Sequence, residues 1–114
     1  MPGWEQDSWG YHGDDGHVFC CSGSKTKYGP KFGTKDTVGC GLNFRDNTAF
    51  FTLNGVYLKV ACVEVNKEKL YPMVGLKKLG DRVQVNFGRT KFLFDIDNYM
   101  KVWCETPRDP YFPR

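Results

Sequence analysis

The residues with the most chemical capacity fall in one short stretch, Tyr11-His12-Gly13-Asp14-Asp15-Gly16-His17, closely followed by Cys20-Cys21. Two imidazoles and two carboxylates so close together are donors that could hold a metal ion. A calcium loop, however, needs oxygen donors at several alternating positions and a distal Glu, and that spacing is missing. Cys20 or Cys21 with His12 or His17 would supply a nucleophile and a base. Nothing in the pattern supplies the third, orienting group or an oxyanion donor. Adjacent strand residues also face opposite sides, so only one of the two cysteines could face any one site. A turn is the simpler reading: glycine accepts positive φ, and aspartate bonds its own local backbone. No enzyme activity, metal or cofactor is expected.

The cations form two groups, Lys25, Lys27, Lys31 and Lys35 in one loop and Lys77-Lys78 with Arg82 in another. Phosphate binding would require them to converge beside exposed aromatics, for which Tyr28 and Phe32 are available. Solvated loops are the plainer account. A net charge of +3, from 16 basic and 13 acidic residues, falls short of the concentrated basic face that nucleic acid demands. No apolar run approaches the roughly 20 residues of a membrane helix, and Met1-Pro2-Gly3-Trp4-Glu5 lacks the segments of a signal peptide. Five cysteines, an odd count, argue against a disulfide framework. These features predict a reduced, cytoplasmic or nuclear protein without a nucleic-acid, membrane or small-molecule partner.

Which elements must position these residues follows from the hydrophobic pattern. Aromatics make up 16% of the 114 residues, which favours pleated, half-buried surface. Short strands are predicted over Ser8–His12 and His17–Ser22, on either side of the Gly-Asp-Asp-Gly turn. Residues 23–36 read as a loop anchored by Tyr28 and Phe32. Val38, Cys40, Leu42 and Phe44 alternate with Gly39, Gly41 and Asn43, a period of two that defines one strand face. Thr48–Leu53 and Val56–Val63 follow as strands joined by Asn54-Gly55, whose tolerance of positive φ suits a type I′ hairpin turn. Further strands are predicted over Leu70–Leu76, Arg82–Phe87 and Phe92–Phe94. Phe44, Phe51, Phe87 and Phe94 are expected in the core. Ile96, Tyr99, Met100 and Trp103 then switch to helical spacing, with Asp95 as N-cap. The tail from Glu105, with Pro107, Pro110 and Pro113, is expected to lie extended. Regular short strands with turn signals indicate an all-β antiparallel sandwich with a short C-terminal helix.

Several segments together resemble the SPRY domain. They are Pro2-Gly3-Trp4, Tyr11-His12-Gly13-Asp14-Asp15-Gly16, Tyr28-Gly29-Pro30, Asp36-Thr37-Val38-Gly39-Cys40-Gly41-Leu42-Asn43, Phe51-Thr52-Leu53-Asn54-Gly55, Leu70-Tyr71-Pro72 and Val85-Asn86-Phe87-Gly88. Their order and spacing run through nearly the whole chain. Within the family, Tyr11–Gly16 and the closing segment Phe92–Met100 are similar to the RanBPM branch, and also to the secreted SPRY effectors of plant-parasitic nematodes. The family's strands before Pro-Gly-Trp have no counterpart here. The resemblance therefore makes residues 1–104 roughly the C-terminal two-thirds of a SPRY domain, followed by a tail at 105–114.

The resemblance implies a concanavalin-like sandwich of the B30.2 type that recruits partner proteins and catalyses nothing. In the RanBPM branch that role belongs to a scaffold of the CTLH (GID-type) ubiquitin ligase. In the nematode branch it would be an effector acting on host proteins, exported by a signal peptide. A surface for RNA is the weakest of the alternatives. SPRY relatives that bind short peptides use loops at one end of the sandwich, with a Tyr and a Trp at positions nearest to Cys20 and Lys78 here. An Asn-rich peptide specificity is therefore not implied. Tyr11, His12, Asp14, Asp15, Tyr28, Lys77 and Lys78 are the expected partner contacts, the aspartates supplying charge and the tyrosines contact area.

Overall fold

The computed structural model describes residues 1–21, 23–65 and 69–105. They divide into two compact units, Met1–Phe32 with Lys67–Lys91 and Gly33–Asn66 with Phe92–Arg114. The proline-bearing tail after Glu105 lies outside the described residues. The antiparallel all-β class and the C-terminal helix expected from the sequence are both present.

The first unit carries a three-stranded antiparallel sheet, β1 (Trp9–Tyr11), β2 (His17–Cys20) and β3 (Lys25–Lys27), in that order. Tyr11 pairs with Val18, and Val18 in turn with Thr26. Its core is aromatic. Tyr11 meets Tyr28 edge-on with ring centres 5.2 Å apart and Phe32 at 4.8 Å, and His12 lies 4.3 Å from the ring of Phe19. Offset and edge contacts of this kind suit the quadrupoles of the rings.

The second unit carries β4 (Val38–Asn43), β5 (Thr48–Leu53) and β6 (Val56–Cys62), with β5 central. The turn between β5 and β6 has φ of 51° at Asn54 and 86° at Gly55, the doubly positive geometry of a type I′ turn. Phe50 on β5 is 2% exposed. Its ring centre lies 5.2 Å from Tyr57, 5.8 Å from Phe94 and 4.9 Å from Tyr99. Gly41, its cross-strand partner, leaves room for that ring: a Cβ there would sit 2.1 Å from Phe50 Cζ. Helix α1 (Ile96–Glu105) starts where expected, with Asp95 Oδ1 accepting from the Asn98 amide at 3.0 Å. Tyr99 brings the helix to the sheet by accepting a hydrogen bond from Asn43 Nδ2 at 3.3 Å.

Four expectations are corrected. Leu70–Leu76, Arg82–Phe87 and Phe92–Phe94 are not strands, although the second alternates apolar and polar residues without fault. Among the described residues no strand lies beside them, and alternation without a hydrogen-bonded neighbour leaves backbone groups to water. Conversely, Lys25–Lys27 is a strand inside the expected loop, because β2 offers it a partner. Phe44 and Phe87 are 73% and 74% exposed rather than buried, while Phe51 at 7% is core as expected. Cys20 and Cys62 are disulfide-bonded, and Cys21 and Cys40 are free thiols. Counting cysteines weighs all five alike and cannot register which of them the fold oxidises.

Candidate functional site

Everything in this site belongs to the first unit. The chain leaves β1 at Tyr11 and re-enters β2 at His17, so Gly13–Gly16 must reverse it. The His12 amide donates to His17 O at 2.9 Å and the Gly16 amide to His12 O at 3.0 Å, closing the turn. Gly16 sits at φ 72°. Its carbonyl accepts from the amides of Tyr28 (3.2 Å) and Gly29 (2.9 Å). The Phe32 amide donates to Gly13 O at 3.0 Å, and a Cβ on Gly13 would meet Phe32 O at 2.7 Å. Both glycines are thus required by close approach of the 28–32 segment, and Gly16 also by its φ.

On this base the two carboxylates, Asp14 exposed and Asp15 half-buried, each meet a cation. Asp14 is exposed, and its Oδ2 accepts from Lys77 Nζ at 2.6 Å. That bond holds the Asp14 carboxyl below its ordinary range and raises the Lys77 ammonium above its own. Asp15 Oδ1 accepts from the His17 amide at 3.0 Å and lies 3.2 Å from His17 Nδ1, and Lys25 Nζ stands 3.9 Å from Asp15 Oδ2. The His17 amide is the main cause of the lowered Asp15 pKa, with the imidazole and Lys25 adding to it. Lys78 is exposed beside Lys77, in a short turn closed by its own amide on Asp81 Oδ2 at 3.2 Å and by the Asp81 amide on Lys78 O at 3.1 Å.

The expected surface residues therefore separate. Asp14, Lys77 and Lys78 are exposed and Asp15 is half-buried, and the fold brings Lys77 to Asp14 across 63 positions of sequence. Tyr11, His12 and Tyr28 are corrected: they are 8%, 8% and 7% exposed. Tyr11 donates its hydroxyl proton to Pro30 O, and a phenol whose polar end is satisfied can bury its ring without penalty. His12 Nε2 lies 2.7 Å from Pro2 O. A carbonyl only accepts, so the proton is on Nε2. These three side chains pack within the unit, beneath the turn. Lys25, read from the sequence only as one of a loop's cations, stands beside Asp15, a pairing that nothing local signals. Cys20, nearest to the peptide-binding Tyr position, is exposed at the end of β2.

The arrangement suits recognition by charge and shape. Among the described residues no group of three His, Cys, Asp or Glu side chains could hold a metal ion.

The family model described as the SPRY domain matches residues 1–90. Ran-binding protein 9 of Xenopus tropicalis is 50% identical over 103 residues, covering 90% of this chain and 19% of its own length. The Ran-binding protein M homolog of Arabidopsis thaliana is 42% identical over 99 residues, covering 87% of this chain and 21% of its own. The chain thus spans about a fifth of these relatives. A solved human SPRY domain is 32% identical, with a TM-score of 0.49 over 53% of this chain and 41% of that one. With residues 1–90 matched by the family model and 50% identity to a Ran-binding protein over 103 residues, the chain belongs to the SPRY domain family and is RanBPM-like.

Proposed function

We propose that the chain is a non-catalytic module that recruits partner or substrate proteins through the exposed end of its first unit, with Asp14, Asp15, Lys77 and Lys78 as the contacts. The observation that carries the reading is the display of paired, solvent-facing charges on a buried aromatic base of Tyr11, His12 and Tyr28. A rigid scaffold presenting short polar loops is the usual way such folds bind. Kinship with Ran-binding proteins supports protein partners, and the RanBPM resemblance supports recruitment to a CTLH or GID-type ubiquitin ligase, in the cytoplasm or nucleus. The test is co-purification of ligase subunits with the wild-type chain and with Asp14→Lys/Asp15→Lys. Capture by the wild type and its loss in the variant is expected. Equal capture by both removes the turn from the site.

A second reading, a secreted SPRY effector, is favoured by one observation, the disulfide-bonded state of Cys20 and Cys62. Structural disulfides persist in oxidising compartments and are rare in the cytosol. Alkylation followed by intact mass measurement, on protein recovered from cytosol and from a secretory host, separates the two. Fully alkylated protein in the cytosol that still captures the ligase supports the first reading. A disulfide needed for stability supports the second.

A further inference from the structure

The sheet of the first unit ends in two different edges. At β1, Pro2 packs over Gly10 so closely that an added Cβ would lie 2.4 Å from the Pro2 carbonyl oxygen. At β3 no strand follows among the described residues, and Lys25, Thr26 and Lys27 are all exposed. An edge strand of this kind presents N–H and C=O groups, on the side away from its neighbour, ready to pair with another chain. Lys25 and Lys27 are two apart and so share one sheet face, roughly 7 Å from each other. Lys25 is only loosely engaged by Asp15, at 3.9 Å. Lys27 has no ion pair among the described residues, and Lys31 follows it, exposed.

We propose that β3 is a docking edge for an extended acidic segment of a partner protein, which adds a fourth strand to the β1-β2-β3 sheet. Sign of charge selects the occupant. A second copy of β3 would set lysines against lysines across the new pair, and like charges directly opposed are unfavourable. A strand with Glu or Asp at alternate positions reverses that sign while its backbone completes the ladder, the mode known as β-augmentation. Lysine on an edge is also a device against aggregation, and the two roles agree: the same charges that refuse a like strand admit an acidic one. The exposed apolar face of β4 at Val38, Cys40 and Leu42 has no charge with which to make such a choice. The proposal does not depend on the recruiting turn described above.

The test is fluorescence anisotropy of the full chain with a labelled peptide alternating Glu with Thr or Val, at low salt. Two further peptides carry N-methyl groups on alternate backbone amides, one in each register. The acidic peptide is expected to bind, with one N-methylated version silent and the other active, because only one set of amides faces β3. Lys27→Glu is expected to weaken binding about tenfold, the size of reversing one or two exposed charge contacts, while a peptide with Lys in place of Glu fails. Equal binding by both N-methylated peptides would mean charge attraction without strand pairing and would overturn the proposal, as would no binding at all. The peptide comparison needs no variant, so it stands even where Lys27→Glu disturbs folding.

Discussion

Replacing Gly16 by alanine tests whether the turn is built as described. The residue lies at φ 72°, where an L side chain costs about 1–2 kcal/mol from its Cβ alone. A Cβ there would fall 2.1 Å from the Gly29 carbonyl oxygen, a backbone atom that cannot swing aside as a side chain would. Relief of that clash must separate residues 28–30 from the turn, and the amides of Tyr28 and Gly29 both donate to Gly16 O. Losing those bonds adds about 1 kcal/mol each. The expected total is about 2–4 kcal/mol, or a fall in Tm of about 10 °C or more for a domain of this size. Gly33→Ala is the matched control, since nothing lies within 4 Å of its Cβ position and its φ is not positive. Urea unfolding of the two variants beside the wild type gives the comparison. Gly33→Ala should be neutral or gain a few tenths of a kcal/mol from reduced freedom of the unfolded chain. Equal stability of Gly16→Ala and Gly33→Ala would refute the close packing of the 28–32 segment on the turn. It would also remove the reason for treating Asp14 and Asp15 as rigidly displayed.

In the second unit, Phe50→Ala should cost about 3–5 kcal/mol, because the ring is buried among Tyr57, Phe94 and Tyr99. A loss below about 1 kcal/mol in urea unfolding would show that another residue holds that cluster. The Asp14–Lys77 pair makes a prediction in pH. Asp14 is depressed from 3.8 and Lys77 raised from 10.5. Its stabilisation is therefore present between those two values. It is lost as pH falls through the lowered Asp14 pKa or rises through the raised Lys77 pKa. Subtracting the unfolding midpoint of Lys77→Met from that of the wild type across pH isolates this contribution. A small difference, flat near neutrality and vanishing at both extremes, is expected for an exposed pair. A difference that persists in strong acid assigns it to the packing of the lysine stem instead.

What could be read from the sequence was whatever is local. The Gly-Asp-Asp-Gly reversal, the Asn54-Gly55 hairpin and the Asp95 cap each depend on a few adjacent residues, and the structure has all three. Val38–Asn43 and Arg82–Phe87 show why pattern alone is insufficient. Both alternate, but the first lies one turn away from β5 and pairs with it along its whole length. The second has no strand near it in sequence, and Val83, Val85 and Phe87 remain exposed. Alternation thus gives a segment two faces, whereas becoming a strand takes a neighbour, and the neighbour is a fact about topology. The site obeys the same division. Asp14 and Asp15 were legible as a polar tip, while the approach of Lys77 was not, since charge complementarity at 63 positions' separation leaves no local trace. Tyr11 and Tyr28 misled because an aromatic beside a loop can be an anchor for a partner or a wedge beneath the loop. Their hydrogen-bonding decides between these: with the Tyr11 hydroxyl bound to Pro30, the ring has no polar end left to keep at the surface. The aromatic layer therefore spends its contact area inside the domain. If the turn is the recruiting surface proposed above, its contacts there are charge and backbone, and capture of a partner should weaken as salt is raised.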